Sequence, residues 1–91
     1  MDDNNEYYFT FGVGYPLADF VQQVSAPNAE AARRGMCRFY ADRWAFCYGA
    51  GECSLLVEGD RVVFPRGSTL QRLPKKIVVR GDKIYTERVT S

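Results

Sequence analysis

The side chains with chemistry to offer are three cysteines, a few carboxylates, a glycine pair behind an aromatic segment, and two groups of cations. The 91 residues contain no histidine. That removes imidazole acid/base catalysis, the Ser-His-Asp and Cys-His nucleophilic arrangements, and every metal site that needs an imidazole. Ser54, Ser68 and Thr69, like the cysteines, are left without the usual base. Cys37, Cys47 and Cys53 are odd in number and lack Cys-x-x-Cys spacing, so neither a disulfide framework nor a zinc site follows, and they read as buried or half-buried structural thiols. Asp19, Asp42 and Glu52 show no spacing that recommends carboxylate chemistry. The expectation is a protein with no catalytic residues, no bound metal and no cofactor.

Binding chemistry is the remaining class. Twelve basic and eleven acidic residues give a net charge of only +1, which lacks the strongly basic signature of a general nucleic-acid binder. The sum hides an asymmetry: residues 1–51 carry four arginines against six acids, residues 52–91 eight bases against five acids. Arg61, Arg66, Arg72, Lys75, Lys76, Arg80 and Lys83, with Tyr85 as a ring able to anchor a contact, are the candidate partner-binding set. Arg33, Arg34 and Arg38, spaced to share part of a helix surface, are the alternative face. Gly12-Val13-Gly14 follows a strand as a dinucleotide-binding turn would, but Pro16 intervenes and no helix opens there. Arg80-Gly81-Asp82 is read as turn chemistry.

These groups need elements to hold them. Tyr7-Tyr8-Phe9-Thr10-Phe11 alternates as a strand, with Tyr7, Phe9 and Phe11 on one face and Tyr8 and Thr10 on the other. A second strand is expected over 19–25, with Phe20 and Val24 on a common face. Asn28 is a good N-cap for a helix over 28–42, whose apolar stripe reads Ala29, Ala32, Met36, Phe39 and Tyr40. Gly35 inside it hints at close packing on the sheet. Trp44-Ala45-Phe46-Cys47-Tyr48 alternates as a third strand, with Trp44, Phe46 and Tyr48 together. Core packing is the default for these rings, although one helix covers only one face of a sheet and leaves some as candidates for an exposed patch.

The second half repeats itself. Leu55-Leu56-Val57-Glu58-Gly59-Asp60-Arg61-Val62-Val63-Phe64 matches Ile77-Val78-Val79-Arg80-Gly81-Asp82-Lys83-Ile84-Tyr85-Thr86 at an offset of 22 positions. Glycine first in a two-residue turn is the type II′ signal, so two hairpins are expected, turning at Gly59-Asp60 and Gly81-Asp82. A turn-rich connector, 65–74, joins them. The whole is expected to be one α+β domain: an antiparallel sheet with one amphipathic helix (ββαβ, residues 7–52), extended by two β-hairpins (53–91).

The segments Tyr7-Tyr8-Phe9-Thr10-Phe11-Gly12, Tyr15-Pro16-Leu17, Asn28-Ala29-Glu30-Ala31-Ala32-Arg33 and Trp44-Ala45-Phe46-Cys47-Tyr48 resemble a group of short uncharacterised bacteriophage and prophage proteins, over residues 7–52. The resemblance carries no catalytic residues and does not reach 53–91. It implies a setting: small phage proteins of this kind commonly bind host machinery, and inhibitors of bacterial immunity, anti-CRISPR proteins among them, share this size and lack of enzymatic motifs. The expected partner is thus a host protein or protein–nucleic-acid complex, with direct nucleic-acid binding by the basic half, and nucleotide sequestration by the glycine loop and helix arginines, as alternatives. No segment approaches the roughly 20 apolar residues of a membrane span, and Met1-Asp2-Asp3-Asn4-Asn5-Glu6 does not open as a secretory signal, so a location in the host bacterial cytoplasm is expected. Homodimerisation through an unpaired strand edge is compatible with each reading.

Overall fold

The computed structural model describes residues 4–11, 14, 16–41, 43–49, 56–58, 61–64 and 69–89. In chain order the elements are β1 (Asn5–Phe11), β2 (Phe20–Ala26), α1 (Ala29–Tyr40), β3 (Trp44–Gly49), β4 (Leu56–Glu58), β5 (Arg61–Val63), β6 (Thr69–Arg72), β7 (Lys75–Arg80) and β8 (Lys83–Arg88). The class is α+β, with the expected ββαβ start. β1 lies between β2 and β3 and is antiparallel to both, so β2 and β3 run parallel and α1 supplies the crossover that such a pair requires.

Helix α1 begins where Asn28, in extended conformation, accepts a 2.8 Å hydrogen bond at Oδ1 from the Ala31 N–H, and Glu30 sits in the first turn. Both features satisfy the positive, donor-rich end of a helix. It ends at Ala41, whose N–H donates to the Cys37 carbonyl at 3.1 Å and whose φ of 55° is costly for a residue with a Cβ. Gly35 is the point of closest approach to the sheet. A Cβ there would lie 2.8 Å from Val79 Cγ2 and 3.1 Å from Ile77 Cγ2, so glycine lets the helix settle directly on β7.

The sheet runs β3-β1-β2-β6-β5-β4, with β7 also on β2 and β8 on β7. Two expectations are corrected here. The sheet is mixed rather than wholly antiparallel, because β6 and β7 both run parallel to β2. The connector over 65–74 is not all turn, because Thr69–Arg72 forms β6 and pairs with β5.

β6 and β7 follow one edge of β2 in succession, and the line breaks at Leu73-Pro74. Val21 pairs with Arg72 and Val24 with Ile77, so three steps along β2 take five along its partner. Pro74 has no N–H for the ladder. Gln22 bridges the gap: its Nε2 donates to the Lys75 carbonyl at 2.7 Å, and its Oε1 accepts from the Tyr40 hydroxyl at 2.9 Å. Beyond this break the sheet divides, β6 leading to β5 and β4, and β7 leading to β8.

The division produces two apolar clusters. Under the helix, Tyr7, Phe9, Phe11, Val24, Ala26, Ile77 and Val79 pack against Ala31, Ala32 and Met36. On the far face, Tyr8, Val21, Val62 and Phe64 form a second cluster flanked by Tyr48 and Leu70, with the Tyr48 and Phe64 rings 5.1 Å apart. Alternation in β1 is as expected, Tyr8 facing away from Tyr7, Phe9 and Phe11. In β3 it is not. Thr10 pairs with Phe46 but Phe11 with Trp44, so Ala45 is the extra residue of a bulge. Trp44 therefore joins Phe9 under the helix, ring centroids 5.0 Å apart, while Tyr48 faces the other way.

A candidate interaction surface

The β7-β8 hairpin is the element that gathers the candidate cations. Its turn is Gly81-Asp82 as expected; Gly81 has φ 59° and Asp82 is not among the positive-φ residues, the signature of type II′. The matching turn at Gly59-Asp60 lies outside the described residues, although β4 and β5 pair on either side of it. In β7, Ile77 and Val79 face the helix, which puts Lys75 on that side and Lys76, Val78 and Arg80 on the other. Across the hairpin Lys75 pairs with Arg88, Lys76 with Glu87, Val78 with Tyr85 and Arg80 with Lys83.

An open cleft of about 590 Å3 lies between the end of α1 and this hairpin, lined by Arg38, Asp82, Lys83, Ile84 and Tyr85. It is bordered by residues that the sequence assigned to separate surfaces, Arg38 from the helix group and Lys83 and Tyr85 from the hairpin group, although the side chains of Lys83 and Tyr85, paired with Arg80 and Val78, lie on the face of the hairpin away from α1. Arg34 precedes Arg38 by one turn, and Arg33, Arg34 and Arg38 are all exposed. Two cations here face one acid, Asp82.

The rest of the hairpin group is dispersed. Arg61 is exposed on the separate β4-β5 hairpin, directly opposite Glu58, which offsets its charge. Arg72 is half-buried and its Nη1 donates to Gln23 Oε1 at 3.1 Å. Gln23 in turn donates to Glu6, so Arg72 closes a polar row along the far face. Beside that row the Tyr8 hydroxyl is held above its usual pKa of 10.0, first by burial, then by the negative charge of Glu6, with Arg72 pulling the other way. Lys75 is exposed; Lys76 is half-buried opposite Glu87. Arg66 lies outside the described residues, as do Cys53, Asp42, Glu52 and Ser54.

The aromatic residues follow the default expectation of core packing. Tyr7, Tyr8, Phe9 and Phe11 are buried and Trp44 and Tyr48 half-buried; the described rings of β1 and β3 make no exposed patch. Among the described residues, the large apolar side chains that reach solvent are Phe39, 45% exposed, and Tyr85, 37% exposed. Phe39 falls on the helical stripe by spacing, and its exposure could not be read from periodicity. The buried positions of α1 end with Met36, and Phe39 lies in the helix's last turn beyond them. Of the cysteines read as buried or half-buried, Cys37 is instead exposed on α1, while Cys47 is half-buried.

Other site classes find little to build on. Among the described residues no group of three His, Cys, Asp or Glu side chains is placed to hold a metal ion. Gly12 and Val13 lie outside the described residues, Gly14 is exposed with φ 98°, and the turn after it runs directly into β2 rather than into a helix. No described helix is long and apolar enough to cross a membrane. No protein-family model matches this chain, and no curated protein or solved structure matches it.

Proposed function

We propose that this chain is a non-enzymatic binding protein that engages an acidic surface of a host macromolecule through the cleft between α1 and the β7-β8 hairpin. The observation that carries the reading is the cleft that α1 and the β7-β8 hairpin border with Arg38, Asp82, Lys83, Ile84 and Tyr85, with the Tyr85 ring exposed beside it. Arginine and tyrosine are the residue types on which binding energy concentrates, and neighbouring cations steer an acidic partner. With a net charge of only +1, a protein surface or a protein–nucleic-acid complex fits this cluster better than bare nucleic acid. Joined to the phage-like segments of residues 7–52, the reading becomes that of a mobile-element accessory protein acting in the bacterial cytoplasm by occlusion, an inhibitor of host defence such as CRISPR immunity.

Two measurements test it. Expression in a bacterium whose CRISPR system restricts a phage is expected to restore plaque formation, and the Arg34→Glu/Arg38→Glu variant to lose that effect; unchanged plating with the wild type overturns the anti-CRISPR assignment. In a gel-shift titration at two salt concentrations, the purified chain is expected to leave DNA and RNA unshifted. A shift that weakens steeply with salt replaces this reading with direct nucleic-acid binding.

A further inference from the structure

Among the described residues β8 pairs with β7 and with no other strand. The two-residue turn makes Arg80 and Lys83 a hydrogen-bonded pair, and the pattern alternates from there. Lys83, Tyr85 and Glu87 therefore direct their backbone N–H and C=O groups toward β7, while Ile84, Thr86 and Arg88 present theirs to the open edge. An edge of this length is a template for another strand unless its side chains forbid it. β8 carries charges of both signs, and their spacing complements itself. We propose that the occupant of this edge is a second copy of the chain, paired β8 to β8, antiparallel, about a two-fold axis at Tyr85.

The register follows from parity and charge. A regular antiparallel ladder sets outward-facing residues opposite outward-facing ones, so the axis must fall on a residue and not between two. With the axis at Ile84, Lys83 meets the partner's Tyr85 and Asp82 meets the partner's Thr86. With the axis at Thr86, Ile84 meets the partner's Arg88 and Tyr85 the partner's Glu87. Neither register matches opposite charges. With the axis at Tyr85, Lys83 lies opposite the partner's Glu87, Asp82 opposite the partner's Arg88, and Ile84 opposite the partner's Thr86. Symmetry makes each charge pair occur twice.

Tyr85 then meets its own copy at a non-hydrogen-bonded position, where facing side chains approach most closely. Its exposure is thereby explained. The partner's Glu87 also brings a negative charge to Lys83, which within its own hairpin lies opposite the cation Arg80. Self-pairing requires no other molecule, and it competes with the host partner for Lys83 and Tyr85.

Light scattering of the purified chain across a dilution series tests this, with Lys83→Glu, Glu87→Lys and the double exchange. The wild type is expected to dimerise with rising concentration. Each single exchange turns two attractive pairs into two repulsive ones and is expected to weaken association about tenfold, and the double exchange to return it to within about threefold. A monomer at every concentration, or a dimer that the double exchange fails to restore, overturns the proposal. In a Cys37→Ser background, Tyr85→Cys is expected to form a disulfide across the axis under mild oxidation and Ile84→Cys to form none; equal cross-linking at both positions overturns the register.

Discussion

The two apolar clusters take alternate residues of β1 and β2, yet they are closed by different means. Under α1, Phe9, Val24, Ile77 and Val79 are capped by a helix that lies directly on them through Gly35. On the far face, Tyr8, Val21, Val62 and Phe64 have no helix; that cluster is closed by the sheet itself, where the Tyr48 ring on β3 meets Phe64 at the end of β5. A layer from outside makes a core with a fixed floor and roof. A sheet folded over on its own flank makes one whose roof is the short β4-β5 hairpin, held to β2 through β6. The first should therefore unfold with the whole molecule and the second should open locally.

The largest expected effect tests that contrast. Phe9→Ala removes a fully buried ring that packs edge-on against Trp44 and is expected to cost about 4 to 5 kcal/mol of global stability by denaturant unfolding. Phe64→Ala, at the rim of the far cluster, is expected to cost about 3 kcal/mol or less, because a site at the edge of a short hairpin can collapse or admit water. Hydrogen exchange should rise over Leu56–Glu58 and Arg61–Val63 in Phe64→Ala while α1 stays protected. Equal losses, with α1 exposed in both, would make the two clusters one cooperative unit.

The same contrast governs what the sequence disclosed. The helix-covered cluster was legible in its main parts: strict alternation in Tyr7–Phe11, the Asn28 cap, and Gly35 as a contact point each correspond to the structure. The far cluster was not, because its members come from segments that acquire meaning only when brought together in space. Thr69–Arg72 read as connector since β6 is short and gains its place by pairing with β5 and β2. The bulge at Ala45, which sends Trp44 and Tyr48 to opposite clusters, leaves no local mark in an unbroken alternating pattern. At the candidate surface, Lys83, Tyr85 and Arg38 were each singled out, but on two separate faces. That they border one cleft depends on where the end of α1 falls over the β7-β8 hairpin, and no spacing within either element records that.

The contact that makes the helix side rigid can be broken by a single carbon. Gly35→Ala gains about 1 kcal/mol of helix propensity but sets a methyl group against the stiff branched side chains of Val79 and Ile77, and overpacking of this kind costs about 1 to 3 kcal/mol. A net loss of up to about 2 kcal/mol is expected. The crowding should be relieved by Val79→Ala, so that the double variant is more stable than the two separate losses would sum to. Strict additivity in the double-mutant cycle would mean that α1 shifts as a body and that its seat on β7 is not fixed by Gly35.

The smallest effect separates the two regions by charge rather than by packing. Tyr40, at the edge of the helix-covered cluster, has its pKa raised by burial, and its hydroxyl donates to Gln22. Tyr8, on the far face, is raised by burial and by Glu6, against the lowering pull of Arg72. Both phenols stay neutral in the folded chain at pH values where their unfolded counterparts, near 10.0, ionise. Their contribution to stability is thus fully present below pH 10 and is lost as pH rises through the raised folded values. Tyr8→Phe and Tyr40→Phe should each flatten part of that alkaline decline in urea midpoints. Arg72→Gln distinguishes the sites: without its guanidinium the Tyr8 phenol should titrate still higher by ultraviolet difference absorption, while Tyr40 should not move. A shift at both tyrosines would place Arg72 in electrical contact with the helix side and dissolve the separation of the two faces.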